Sequence, residues 1–504
     1  MPDLPLISRA RAHGTRTAIV TDGTAYSYFD LLQASTAVAA TLLQDGADLA
    51  EARVAFQAPA GFNYLAIQWG IWRAGGVAVP LGVAATHTEL EHALADSGAS
   101  QVIATRQSAG SFTALGDATK RRLLVFEDLD LTAVWQLPQI DPARRAMILF
   151  TSGTTNKPKG VVSTHANIQA QIELLVAAWE WNGDDCIPLF LPMHHIHGII
   201  NVACCALWAG ASIEAFPKFA LETILGRVAA RAYTVFMAVP TIYVKLMESL
   251  ASDTFPASTR QRILQGFAAM RLMVSGSAAL PPSVHTRWTA LTGQHLLERY
   301  GMSETGMTLS NPLHGERRPG AVGQALPMVE LRLKSEQGNW ITQDGEPGEI
   351  LVRGPMVFRE YWNCPEITVA SFDDGWFRTG DLAVLETGYY RIMGRLSIDI
   401  IKSGGYKLSA LEIEATLLEH PAIRECAVVG LNDDTWGEVV AVAAVLHAGI
   451  GDLQLDDLQR WCQERLSRYK TPRHLLVLNS LPRNALGKVT KRVLSDAMGP
   501  GGRS

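Results

Sequence analysis

AMILFTSGTTNKPKG, residues 146–160, joins an unbroken apolar run to a loop of hydroxyls, glycines and lysines. Ala146–Phe150 has the length and texture of a buried strand, and the loop begins where that strand ends. Open α/β sheets receive their ligands at the carboxyl ends of strands. Gly153 and Gly160 leave the backbone free to bend. Thr151, Ser152, Thr154 and Thr155 offer hydroxyls, and Lys157 and Lys159 offer positive charge. Together these are what a polyphosphate tail requires. The loop is not a Walker A motif, because counted from Gly153 the sixth residue is Pro158 and Gly160 follows Lys159. A polar surface loop has the same composition, so these residues alone leave that reading open.

Working outward, TAIVTDGTAYSYFDLLQASTAVAATLL (17–43) reads as strand, Asp22-Gly23 turn, strand and helix, with Ser27 and Asp30 forming a capping box. Apolar helical stretches then alternate with short β-branched runs through about residue 300, which predicts a mostly parallel α/β sheet. From about 319 short alternating strands between Gly/Pro turns predict a small β subdomain. After residue 394 a compact α+β tail follows, with Leu455, Leu458, Trp461, Cys462 and Leu466 at helical spacing as core packing. The expected division is a large domain, 1–394, and a small mobile C-terminal domain, 395–504.

A chain of 504 residues exceeds what one core accommodates. A net charge of −5 gives no electrostatic reason to bind nucleic acid. The six cysteines form no C-x-x-C pair and no zinc spacing, which fits a reducing compartment, the cytoplasm. Arg9, Arg11 and Arg16 near the N-terminus leave the mitochondrial matrix as the alternative. IINVACCALWAG (199–210) is too short to span a bilayer and reads as a buried helix, so no membrane partner is expected.

FTSGTTNKPKG (150–160) resembles the phosphate loop of the acyl-adenylate-forming superfamily of acyl-CoA synthetases, luciferases and peptide-synthetase adenylation domains. ERYGMSETG (298–306), GWFRTGDL (375–382), GRLSIDIIKSGGYKLS (394–409) and PRNALGK (482–488) look like its later motifs, in its order. Asn156 stands where that family usually has glycine, and asparagine tolerates the same left-handed backbone. The resemblance implies ATP, Mg²⁺ and coenzyme A as cofactors. A carboxylate attacks the α-phosphorus, and a thiol then displaces AMP from the acyl-AMP.

The resemblance further implies that Glu304 is the Mg²⁺ ligand and that Ser303 reaches the α-phosphate. Tyr300 stacks on adenine, in the nucleotide-contacting run Tyr300, Gly301 and Met302. Asp381 accepts the ribose hydroxyls with Arg395 beside it, and Ser277 and Ala278 form a pocket wall. Lys488 bridges the substrate carboxylate and the α-phosphate, so the tail must close on the ATP site and then rotate, pivoting around Ser397–Asp399. Lys402, Gly404 and Gly405 then face the thiol channel.

PMHHIHG (192–198) lacks the donor spacing of a zinc site. The resemblance puts His195 between acyl pocket and thiol channel. No aspartate follows to hold an amino-acid amine, against a peptide-synthetase domain. Arg299, with His197 nearby, could grip a second carboxylate on the substrate, or could turn away and pair with Glu298. FMAVPTIYVKLME (236–248), RLMVSGSAALP (271–281) and VRGPMVFREYWN (352–363) look like the malonyl-CoA synthetase branch, which includes mitochondrial malonate/methylmalonate members. The small-molecule substrate expected on that resemblance is malonate, with methylmalonate second. A monocarboxylate–CoA ligase and a non-catalytic nucleotide-binding relative stay open.

Overall fold

The computed structural model describes residues 3–113, 121–133, 135–151, 158–252, 254–404, 406–483 and 489–499. Ser152, Gly153, Thr154, Thr155, Asn156, Lys157, Gly405 and Lys488 therefore lie outside the described residues.

Near the N-terminus, the strands Thr17–Thr21 and Thr24–Ser27 pair across Asp22 and Gly23, both at positive φ. That geometry is what a tight hairpin demands. The helix Tyr28–Leu43 follows with both arms of the Ser27/Asp30 capping box made. The basic stretch is part of the fold, because the helix Pro5–His13 buries Leu6, Ile7 and Ala10 and the Arg9 guanidinium lies 4.4 Å over Trp208.

A seven-stranded sheet runs in the order Glu360–Tyr361, Lys159–Thr164, Arg145–Thr151, Val77–Pro80, Arg53–Gln57, Gln101–Ala104, Arg122–Val125. Its pairings are parallel from Arg145–Thr151 outward to Arg122–Val125 and antiparallel on the other side. A second sheet places Val235–Ala238, Leu272–Ser275 and Leu297–Met302 in parallel, then turns back through Gly306–Ser310. A four-stranded sheet with Thr17–Thr21 at its centre packs into the same large core. Residues 199–209 form the expected buried helix, with a difference. His197–Cys204 winds as a wide π-helix before Cys205–Ala209 continues as α-helix, and all of 197–204 is buried.

The β-rich part is an antiparallel sheet built from Glu330–Lys334, Gly348–Arg353, Trp376–Glu386 and Tyr389–Arg395 with shorter edge strands. Beyond it, Ile400–Ser403, Tyr406–Ser409, Ile423–Asp433, Gly437–Leu446 and His474–Val477 form a separate sheet. That sheet has apolar clusters on both faces. One of them holds Leu458, Cys462 and Leu466 of the predicted stripe.

Candidate active site

The strand Arg145–Thr151 and its antiparallel neighbour Lys159–Thr164 close the opening loop at its base, where Thr151 sits opposite Lys159. Both line a cleft of about 280 Å³ together with Met302, Glu304, Tyr361 and Arg395. Four stretches far apart in the chain thus meet at the carboxyl end of a sheet strand.

Glu304 is delivered by the turn between Leu297–Met302 and Gly306–Ser310. This turn needs glycine at 306, where φ is +62° and a Cβ would stand 1.6 Å from the Gln171 amide oxygen. Gly301 and Met302 end the incoming strand, and Ser303 is half-buried in the turn. Glu304 itself is 6% exposed, and its Oε1 accepts a 2.8 Å hydrogen bond from the Tyr361 hydroxyl. Burial raises its carboxyl above the ordinary range, and the Tyr361 bond works against that rise. A carboxylate oxygen beside a cleft is the hard donor that magnesium prefers. Among the described residues no group of three or more His, Cys, Asp or Glu is placed to hold a metal, so phosphate oxygens and water would have to complete the coordination.

Tyr361 was not singled out by sequence reading. Its short strand pairs with Val161 and Val162, which brings the ring under the Lys159 ammonium at 5.3 Å as well as to Glu304. Glu349 was also missed. It lines the cleft and holds the TGD turn by accepting from the Gly380 N–H at 3.2 Å while pairing with Arg378 at 2.7 Å. A buried acid in the otherwise apolar run GEILV was the available signal.

Asp381 and Arg395 face each other in register on neighbouring strands. Arg395 Nε donates to Oδ1 at 2.8 Å and Nη2 to Oδ2 at 3.2 Å, while the Tyr300 hydroxyl donates to Oδ2 at 2.6 Å. The three residues assigned to the nucleoside are therefore one hydrogen-bonded group. A carboxylate has about four acceptor positions. Any further donor at Asp381 would share it with both partners.

A second group lies outside that cleft lining: His197 is buried and its Nδ1 lies 3.0 Å from the Ser277 hydroxyl, while its Nε2 has no partner. Burial first, then the charge of Arg299, holds the ring well below the ordinary histidine range, so it is neutral. Arg299 is 4% exposed, and its Nε and Nη2 have no hydrogen-bond partner. It makes no ion pair with Glu298, whose Oε1 accepts instead from the Leu280 N–H at 2.9 Å. Burial pushes the Glu298 carboxyl up to about 8. Ser277 and Ala278 follow the strand Leu272–Ser275 in an exposed loop, with Ser277 left-handed at φ +69°. His195 is half-buried with its ring 4.1 Å from that of His194. Lys402 and Gly404 sit on the tail sheet's first hairpin and do not line the cleft.

Residues 6–362 match the family model of AMP-binding enzymes, and residues 412–488 match that of the AMP-binding enzyme C-terminal domain. The chain is 42% identical to the mitochondrial malonate–CoA ligase ACSF3 of Bos taurus, over 97% of this chain and 89% of that one. The Homo sapiens protein of the same name is 40% identical over 97% and 91%. ATP-bound MatB from Rhodopseudomonas palustris superimposes with a TM-score of 0.88 at 32% identity, covering 98% of this chain and 99% of that one. With its matched regions spanning most of its length in the same order as the site's motifs, the chain belongs to the AMP-binding enzyme family.

Proposed function

We propose that the protein is an AMP-forming malonate–CoA ligase, with methylmalonate as a second substrate. One observation carries the diacid reading: a buried arginine with two unpartnered nitrogens beside a neutral histidine. A buried cation without a partner is costly, and a second substrate carboxylate would satisfy it bidentately. The names of relatives at about 40% identity support the same acid.

In the first step a malonate carboxylate oxygen forms a bond to the α-phosphorus of ATP and pyrophosphate departs. Negative charge grows on the phosphates, and Lys159 and Thr151, which line the cleft, would receive it together with the hydroxyls and Lys157 that the motif offers between them. Magnesium, when bound at Glu304, would offset that charge and hold the phosphates in line. Tyr300, Asp381 and Arg395 would fix the nucleoside, and Ser303 the α-phosphate. Lys488 would bridge the two reacting anions. In the second step the thiol of coenzyme A forms a bond to the acyl carbon and AMP leaves, with His195 between acyl group and thiol.

This assigns 1–394 to ATP and acid and 395–504 to a mobile domain that carries Lys488 in and then presents Lys402, Gly404 and Gly405. The separate tail sheet with its own apolar clusters supports that division. The compartment proposed is a reducing one, since all six cysteines are free. The word mitochondrial in the relatives' names favours the matrix. No helix among the described residues is long and apolar enough to cross a membrane.

The test is a panel of malonate, methylmalonate and butyrate with wild type and Arg299→Ala, followed by CoA- and ATP-dependent AMP release. Malonate is expected to lead, and Arg299→Ala to lose the diacids selectively. Butyrate turnover equal to malonate would refute the assignment. Lys488→Ala is expected to abolish acyl-AMP formation while leaving thioester formation from supplied malonyl-AMP.

A further inference from the structure

Gly276 is buried between the strand Leu272–Ser275 and the left-handed Ser277. Its own φ lies outside the left-handed region, so backbone conformation does not call for glycine there. Space does. A Cβ at 276 would stand 2.3 Å from Cζ of Arg299, 2.4 Å from Nη1 and 2.6 Å from Nε. The guanidinium thus rests face-on against the bare α-carbon. The atoms in the way belong to the far end of a flexible side chain, so the arginine head, rather than the sheet, would be displaced. Next in the chain, the Ser277 hydroxyl meets Nδ1 of His197 at 3.0 Å. A hydroxyl donating to Nδ1 leaves the neutral ring with its proton on Nε2, the unpartnered nitrogen, which then acts as a donor.

Building on the diacid reading above, we infer that Gly276 and Ser277 are positioning residues for the second carboxylate. Gly276 seats the Arg299 guanidinium by having no side chain, and Ser277 fixes the His197 ring as a donor. Neither needs to touch the acid. Their effect is on the choice between a diacid and a monoacid of similar size, and it passes through Arg299 and His197.

A double-mutant cycle tests this, with the ratio of kcat/KM for malonate to that for butyrate as the readout. The ratio cancels general damage to ATP binding or to the fold. Gly276→Ala is expected to lower it by about 30-fold or more, as for a site that loses a buried polar match to its substrate. Adding Gly276→Ala to Arg299→Ala is expected to change it by less than about threefold, because the displaced group is already gone. An unchanged ratio in Gly276→Ala, or the same fall in both backgrounds, overturns the inference. If Gly276→Ala melts early, the clash predicts that Arg299→Ala in the same chain raises its melting temperature again, and failure to do so also overturns it. Ser277→Ala should lower the ratio and Ser277→Thr should retain most of it; a ratio unmoved by Ser277→Ala removes that residue's part. Failure of the diacid reading looks different. Wild type would then show no preference for malonate, and Arg299→Ala alone would leave the ratio where it was.

Discussion

The hydroxyl of Tyr361 donates to Oε1 of Glu304 across 2.8 Å, linking a two-residue edge strand to the acid that faces the cleft. This bond favours the ionised carboxylate against the burial that disfavours it. Tyr361→Phe should therefore raise the carboxyl further and let protons compete better with a divalent cation. The magnesium concentration for half-maximal AMP formation is expected to rise about tenfold, as for the loss of one hydrogen bond to a charged group. The rise should be larger at pH 6 than at pH 8, because more of the carboxyl is protonated at the lower pH. Magnesium titrations at the two values check both parts.

Asp381 can distinguish a ribose from its deoxy form only if it accepts a ribose hydroxyl alongside Arg395 and Tyr300. Asp381→Asn should raise KM for ATP by about 10- to 100-fold, the range for weakening a charge-assisted group of bonds. It should also erase most of the wild-type preference for ATP over 2′-deoxy-ATP. A preference that survives intact would place the ribose elsewhere.

Lys491 sits three residues beyond Lys488, half-buried between two acids. Its ammonium lies 2.6 Å from Asp399 Oδ1 and 2.7 Å from Glu414 Oε1, and Asp399 Oδ2 also accepts the Arg395 N–H at 3.1 Å. One ion triad thereby ties the proposed pivot to the end of the Lys488 segment. Lys491→Met leaves two half-buried carboxylates without their cation, which costs about 1–3 kcal/mol, less than the loss of one partner from a fully buried pair. A lower melting temperature is expected, together with a larger loss in acyl-AMP formation than in thioester formation from supplied acyl-AMP. Equal losses in the two half-reactions would show that the triad is only structural.

Glu298 gives a stability signature with a definite sign. Its carboxyl titrates near 8 in the folded chain, against an ordinary value of 4.5. Between those values the folded state holds a proton that the unfolded state has released. Stability from this group is therefore complete below about pH 4.5 and falls as pH rises toward 8. Glu298→Gln keeps an oxygen to accept the Leu280 N–H and has no proton to lose. Its melting temperature should fall less than that of wild type between pH 5 and pH 8, and parallel curves would refute the assignment.

Much of this was legible along the chain, because the signals are local. The Asp22-Gly23 turn, the Ser27/Asp30 cap and the apolar stripe at 458–466 each depend on neighbours within one or two turns of chain. The motif residues Thr151, Lys159, Glu304 and Arg395 were legible too, and the fold brings them to one cleft. Three things were not. Tyr361 reaches Glu304 only because its strand pairs with one about 200 residues earlier, and nothing in EYW announces that partner. Arg299 could turn to Glu298 or away from it on residue types alone; the open space over Gly276 is what receives it, and that is a fact of packing. The shared hydrogen bonds of Tyr300, Asp381 and Arg395 required the register of two strands and a third element lying over them.

His197 stands on the first turn of a helix wound too wide. A π-turn spans with i→i+5 bonds what an α-turn spans with i→i+4, so it carries a surplus residue. Deleting one residue after His197 within 198–204 would remove that surplus and let the segment tighten to ordinary winding, which redraws the turn on which His197 stands. His197 would shift against Ser277, and the proposed diacid end would be altered without any change in the motifs assigned to ATP. On the proposed assignment, the choice of acid would be open to revision by the gain or loss of a single codon, while the cleft that holds Glu304, Lys159 and Arg395 stays as it is.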